Sequence, residues 1–215
     1  MKKKMCVLVL TMAFAATAMT GCVKVVKTGE EAALTGAVEF NAGDNVANFW
    51  DTAMLPEMEG KAAELTDVLT LSNGDLNSLS DKDYAKYSMG DSGELTYTVK
   101  GTGIIDEVMT DKKAGYITVK LNDYSGTETI KIQIGSVFKG TSVRDSLNFI
   151  DFNDYTNQIE WGAVSQSING LIQTNVVDPI GTDAFVSGKS VTFLGAFTVD
   201  GADEILITPT ELSVN

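Results

Sequence analysis

The feature that most constrains this chain is the order in which its apolar periodicity changes. Over residues 94–100 apolar and polar positions alternate, with Leu95, Tyr97 and Val99 on one face, and 103–108 extends the run. The same period of two returns over 116–121, through Ile117, Val119 and Leu121, and over 129–134, through Ile130, Ile132 and Ile134. Alternation puts every second side chain on one face of a strand, so each segment predicts a strand with a buried side. The connections 111–115 and 122–126 are rich in turn formers, which predicts an antiparallel meander. Between 154 and 177 the period becomes helical, with Trp161, Val164, Ile168, Leu171 and Ile172 on one stripe. Residues 190–199 and 204–208 then predict a last hairpin across Asp200-Gly201, with 212–214 extending it.

Ahead of the strands the pattern is helical. Asp44-Asn45 offers an N-cap before Val46, Phe49, Trp50, Ala53 and Met54, which share a helical face. Pro56 breaks or restarts that helix, and Met58, Ala62, Leu65 and Leu69 carry a stripe through a second one that ends near Asn73-Gly74. Ser80 with Asp83 resembles a capping box for a short helix through Tyr87. Three strands, a late helix and closing strands follow the order of an OB-like barrel, whose helix lies between the third and fourth strands. The expected fold is therefore α+β, an antiparallel OB-like β-barrel with an N-terminal helical pair and a late inserted helix. It occupies a single domain over 44–215, helical over 44–88 and barrel over 93–215. With 215 residues and three prolines, the chain can bury a sizeable core without disulfides, and no Pro-rich linker divides it.

The N-terminus reads as an address. Lys2, Lys3 and Lys4 precede an apolar stretch over 5–19, shorter than the roughly 20 residues a spanning helix needs. Met19-Thr20-Gly21-Cys22 follows and resembles the lipobox of bacterial lipoproteins, with Met where Leu is usual. This predicts a signal peptide over 1–21, lipidation at Cys22, a tether over 22–43 with a short strand at 23–26, and anchoring in a lipid bilayer through the acylated cysteine. Cys6 then leaves with the signal peptide, so the mature chain has no free thiol for a disulfide, a nucleophile or a metal. Removing the three signal lysines leaves 13 basic against 29 acidic residues, a net charge of 13 − 29 = −16. So negative a surface is repelled by nucleic acid, which is excluded as a partner.

No histidine is present, which removes Ser-His-Asp and Cys-His nucleophile schemes and His-ligated zinc. Gly90-Asp91-Ser92-Gly93 matches the surroundings of a protease serine, yet no base exists for Ser92, and the run reads as a loop before a strand. Gly101-Thr102-Gly103 begins a dinucleotide pattern that fails at Asp106 and leads into a strand, where glycines mark a bulge or barrel corner. A calcium loop begun at Asp123 would put Glu128 at the glycine position, so 123–128 reads as a hairpin turn. No metal and no cofactor are expected. Trp50 and Trp161 could stack on a sugar ring, but each lies on an apolar helical stripe and reads as core.

One cluster stands out. Arg144, the sole arginine, lies near Asp145, Asp151 and Asp154. Its planar fork suits a buried or ligand-facing carboxylate, and a structural salt bridge is the plainer reading. The carboxylates also admit an acid and base for glycan hydrolysis, which requires two carboxyls about 5 to 9.5 Å apart in a cleft.

Several segments together resemble the DUF2291 family of predicted periplasmic lipoproteins. They are Ile132-Gln133-Ile134-Gly135, Lys139-Gly140-Thr141-Ser142-Val143-Arg144-Asp145, the run from Phe149 to Trp161, Gly195-Ala196-Phe197 and Ile205-Leu206-Ile207-Thr208-Pro209, with Phe49-Trp50 and Leu55-Pro56 before them. The resemblance implies a lipid-anchored, extracytoplasmic protein, in the periplasm or on the outer face of the cytoplasmic membrane. Such proteins tend to be encoded beside ribose-type sugar ABC transporters, which implies a non-enzymatic accessory or binding role and a transporter permease or sugar-binding protein as partner. No catalytic residues carry over. Arg144, Asp145, Asp151, Asp154, Asn157 and Gln158 are the binding candidates. A carboxylate-dependent glycan hydrolase and a barrel holding a small ligand are the alternatives.

Overall fold

Asn41 accepts a hydrogen bond from the Asp44 amide, and helix α1 (Ala42–Phe49) follows. The cap thus lies upstream of the expected Asp44-Asn45, because the Asn41 carboxamide reaches the free amide of the first turn. The computed structural model describes residues 40–201 and 203–215. The signal peptide, Cys22 and most of the tether, including its strand at 23–26, lie outside the described residues.

After α1 the helix widens into a π turn, Trp50–Met54, and continues as α2 (Leu55–Lys61). Pro56 falls in the first turn of α2, where the proline ring fits and its missing N–H is tolerated, so the helix continues past it. Val46, Trp50, Met54 and Met58 are all buried at intervals of four. The second helix expected through Leu69 is interrupted. Ala62 is extended, and β1 (Ala63–Glu64) pairs in parallel with Val99 and Lys100 before α3 (Leu65–Ser72) resumes. Helix α3 ends at Asn73 and Gly74, both at positive φ, as the sequence predicts.

No helix forms at Ser80–Tyr87. Strand β2 (Ala85–Met89) instead pairs antiparallel with β3 (Ser92–Met109). The reason is tertiary: β3 is 18 residues long, and its backbone groups at Leu95–Tyr97 need partners that a helix cannot supply. Beyond it come β4 (Tyr116–Leu121), β5 (Thr129–Gln133), α4 (Ser142–Ser146), α5 (Gln158–Ile172), β6 (Ser190–Thr198) and β7 (Glu204–Val214). Helix α5 passes at its end into a second π turn, Gln173–Val177.

The pairings return to their start. From β3 they run through β4, β5, β7 and β6 and back to β3. The ring is not wholly antiparallel as expected, because β5 and β7 run parallel. One edge of β3 carries β2, β1 and β4 in succession, and the other carries β6. Two glycines permit close approaches within the ring. A Cβ at Gly103, where β3 reaches β4, would lie 2.4 Å from the Lys120 carbonyl oxygen. One at Gly195 would lie 2.4 Å from the Thr208 oxygen, at the register shift where Gly195 faces Pro209.

The ring encloses the predicted inward residues, including Leu95, Tyr97, Val99, Ile117, Ile130 and Ile132, with Leu65 and Leu69 of α3 and Phe197 of β6. On the far face of β3 the threonines at 96 and 98 are buried too, because α4 packs against β2, β3 and β6. Helix α5 lies on α1 and α4.

Candidate functional site

Every residue of α4 is buried, although four of its five side chains carry hydroxyls or charge. Such a helix is stable in a core only if its polar atoms find partners. They do. Arg144 Nε donates to Asp145 Oδ1 at 2.8 Å, and Nη2 approaches the same oxygen at 2.6 Å. Nη1 donates to the carbonyl of Trp161 at 3.0 Å, while the guanidinium carbon sits 3.9 Å from the centre of the Trp161 ring. The other oxygen of Asp145 accepts from the Thr141 hydroxyl. Phe152 and Tyr155 flank the indole, with centroids 5.9 Å and 5.2 Å away. Burial, and then Asp154, raise the Tyr155 hydroxyl above its ordinary value, against an opposing pull from Arg144.

Behind α4 runs a second polar chain that sequence reasoning missed. Ser142 donates to the Ala196 carbonyl at 3.1 Å and to the Thr208 hydroxyl at 3.2 Å. Gln133 Nε2 also donates to the Thr208 hydroxyl, at 2.8 Å, and its Oε1 accepts from the Lys139 amide at 2.7 Å. The chain ties β5, β6 and β7 to α4. No sequence signal marks it, because Gln133 falls at a polar position of the alternation, in line with Thr129 and Lys131.

A third group clamps the segment after α4. Lys61 donates to the Ser146 carbonyl and pairs with Glu57 at 2.6 Å, and Glu57 accepts from the Asn148 amide at 2.8 Å. Lys86 donates to the Leu147 carbonyl and, at 3.5 Å, to that of Ile150. Burial lowers the pKa of Lys86, and neighbouring Lys61 adds to this, while Glu57, Asp145 and Asp151 oppose it.

The remaining candidates act on local backbone. Asp151 caps the 3-10 turn Phe152–Asp154 through the Asn153 amide at 2.8 Å, and Asp154 returns a bond to the Asp151 amide at 3.3 Å. Asn157 caps α5 by accepting from the amides of Ile159 and Glu160 at 2.9 and 3.0 Å. Gln158 is the exposed first residue of that helix. The fold thus brings Arg144, Asp145 and Trp161 into contact, and places Asp151, Asp154 and Asn157 at turn and helix starts. Both oxygens of Asp145 are engaged in the core, so it has no free oxygen for acid or base work on a glycan. Trp50 is buried as expected, and Trp161 is half-buried under Arg144.

The arrangement can be set beside known proteins. The model of the family described as predicted periplasmic lipoprotein (DUF2291) matches residues 12–213. The chain belongs to this family. It is accordingly a lipoprotein anchored to a membrane outside the cytoplasm, and no helix among the described residues is long and apolar enough to cross one. The fold is similar to that of an OB-fold protein from Thermotoga maritima MSB8, with a TM-score of 0.64 and 19% identity over 82% of this chain and 99% of that one. No curated protein matches. Within the matched region, the Lys139–Asp145 segment forms the Thr141, Arg144 and Asp145 contacts, so those residues build part of the core of this chain.

Proposed function

We propose that this DUF2291 lipoprotein is a non-enzymatic accessory protein, held to the bilayer by acylated Cys22 after removal of residues 1–21, that assists carbohydrate ABC transport by contacting a permease or a sugar-binding protein. Its OB-like barrel with inserted α5 is the scaffold, and the face around Arg144 and Trp161 is the contact surface. One observation carries this reading. Arg144, Asp145, Asp151, Asp154 and Asn157 are engaged within the chain, while Phe149, Phe152 and Ile159 beside them stay exposed, Ile159 at 61%. Exposed apolar side chains grouped over a rigid polar core fit a protein contact better than a catalytic centre.

Two measurements test it. Cys22→Ser should move the protein from the membrane to the soluble fraction. Gentle solubilisation of native membranes followed by affinity purification should retain a permease or sugar-binding protein that Ile159→Glu, still folded, fails to retain. Recovery of the lipoprotein alone, or equal recovery by Ile159→Glu, overturns the contact surface.

A further inference from the structure

A cleft of about 640 Å³ opens elsewhere, between the β3–β4 connection at 110–113, the residues after β5 at 134–136 and the end of α5 at 173–182. That volume is in the range of small-molecule sites. Two of its walls are fastened together: the amides of Ile134 and Gly135 both donate to the Gly115 carbonyl at 3.0 Å, and the Val137 amide donates to that of Lys113 at 3.0 Å. The third wall is the π turn at the end of α5, an irregularity that recurs at functional sites. Buried Ile134 and Val177 supply an apolar base.

Its polar groups differ from those around Arg144. Gln173 Nε2 donates to Asp178 Oδ1, which orients the carboxamide and leaves Oε1 buried with no hydrogen-bond partner among the described residues. A buried acceptor without a donor is destabilising by about 1 to 3 kcal/mol, so such groups are uncommon. Lys112 and Lys113 lie on the cleft and, like Lys86, Lys139 and Lys189, form no ion pair among the described residues, whereas Lys61, Lys82, Lys100, Lys120, Lys131 and Arg144 all do. In so acidic a chain, two adjacent unpaired cations favour an anion. Asp111 and Asp178 on the same cleft disfavour a doubly charged one and accept from hydroxyls.

We propose that this cleft binds a small polyhydroxylated carboxylate, with its carboxylate at Lys112 and Lys113, hydroxyls donating to Asp178, and its carbon backbone over Ile134 and Val177. The site shares no residue with the contact surface proposed above, so either proposal can fail alone.

Isothermal titration of the full-length chain in detergent with gluconate, sorbitol and acetate tests it, because these separate charge from hydroxyls. Gluconate should bind at least about tenfold more tightly than either of the others. Lys112→Ala/Lys113→Ala should weaken it by about tenfold or more, while Lys139→Ala/Lys189→Ala, an equal charge change elsewhere, should not. The proposal is overturned if gluconate gives no heat at about 10 mM, if sorbitol or acetate binds equally, if the Lys112/Lys113 variant binds as before, or if the control variant loses as much.

Discussion

The Arg144 cluster and the Lys112–Lys113 cleft hold similar residue types in opposite states. Around Arg144 each nitrogen of the guanidinium and each oxygen of Asp145 has a partner within the chain. At the cleft a buried carboxamide oxygen lacks one, and two lysines stand unpaired among the described residues. A closed polar network supports a fold and has little left to offer a ligand. An open one contributes less to the fold and keeps its hydrogen-bonding capacity for something else. The charged cluster that draws attention in the sequence is therefore the structural one, and the quieter loop lysines mark the better small-ligand site.

The largest expected effect lies on the closed side. Arg144→Ala leaves Asp145 buried at 3% exposure without its cation, which should lower unfolding stability in urea by about 3 to 5 kcal/mol. A loss under about 1 kcal/mol would mean that the pair is not the closed network described. Next is Asn157→Ala, which removes the cap of α5 and should lower stability by about 1 kcal/mol in the same assay.

A pH series sharpens the comparison further. The native state releases the Lys86 proton more readily than the unfolded chain, whose value is near 10.5. Between the lowered native value and 10.5 the unfolded state binds more protons, so stability rises with pH across that window. The contribution of Lys86 is complete above 10.5 and is lost as pH falls through the native value. Thermal melts from neutral pH upward should show this slope, and Lys86→Met should flatten it. The smallest effect belongs to the open side: Lys112→Ala/Lys113→Ala should change stability by less than about 0.5 kcal/mol, since neither side chain supports the fold. A loss as large as that of Asn157→Ala would erase the distinction between the two regions.

Strands β3, β4, β5, β6 and β7 and helix α5 were legible because each carries a long, regular apolar period on one face. Strands β1 and β2 were not. Ala63–Glu64 is too short to show a period, and Ala85–Met89 is drawn into the sheet by the unpaired edge of β3 after a sequence that resembles a helix start. The cluster at Arg144 was legible as charge, and its plainer reading as a salt bridge matches the contact with Asp145. The stacking of Arg144 on Trp161, 17 positions away, was not, because it depends on how α5 lies across α4. Gln133 and Thr208 were missed for the same reason: their partners are distant in the chain.

By itself, the sequence determined the order of strands and late helix and the family, because periodicity and motif spacing are local properties of the chain. Tertiary structure alone decided that β5 and β7 run parallel, that β3 recruits two extra strands, and which polar groups are satisfied. Those outcomes depend on where backbone donors, acceptors and side chains from remote segments meet once the ring has closed, and no local pattern encodes such meetings.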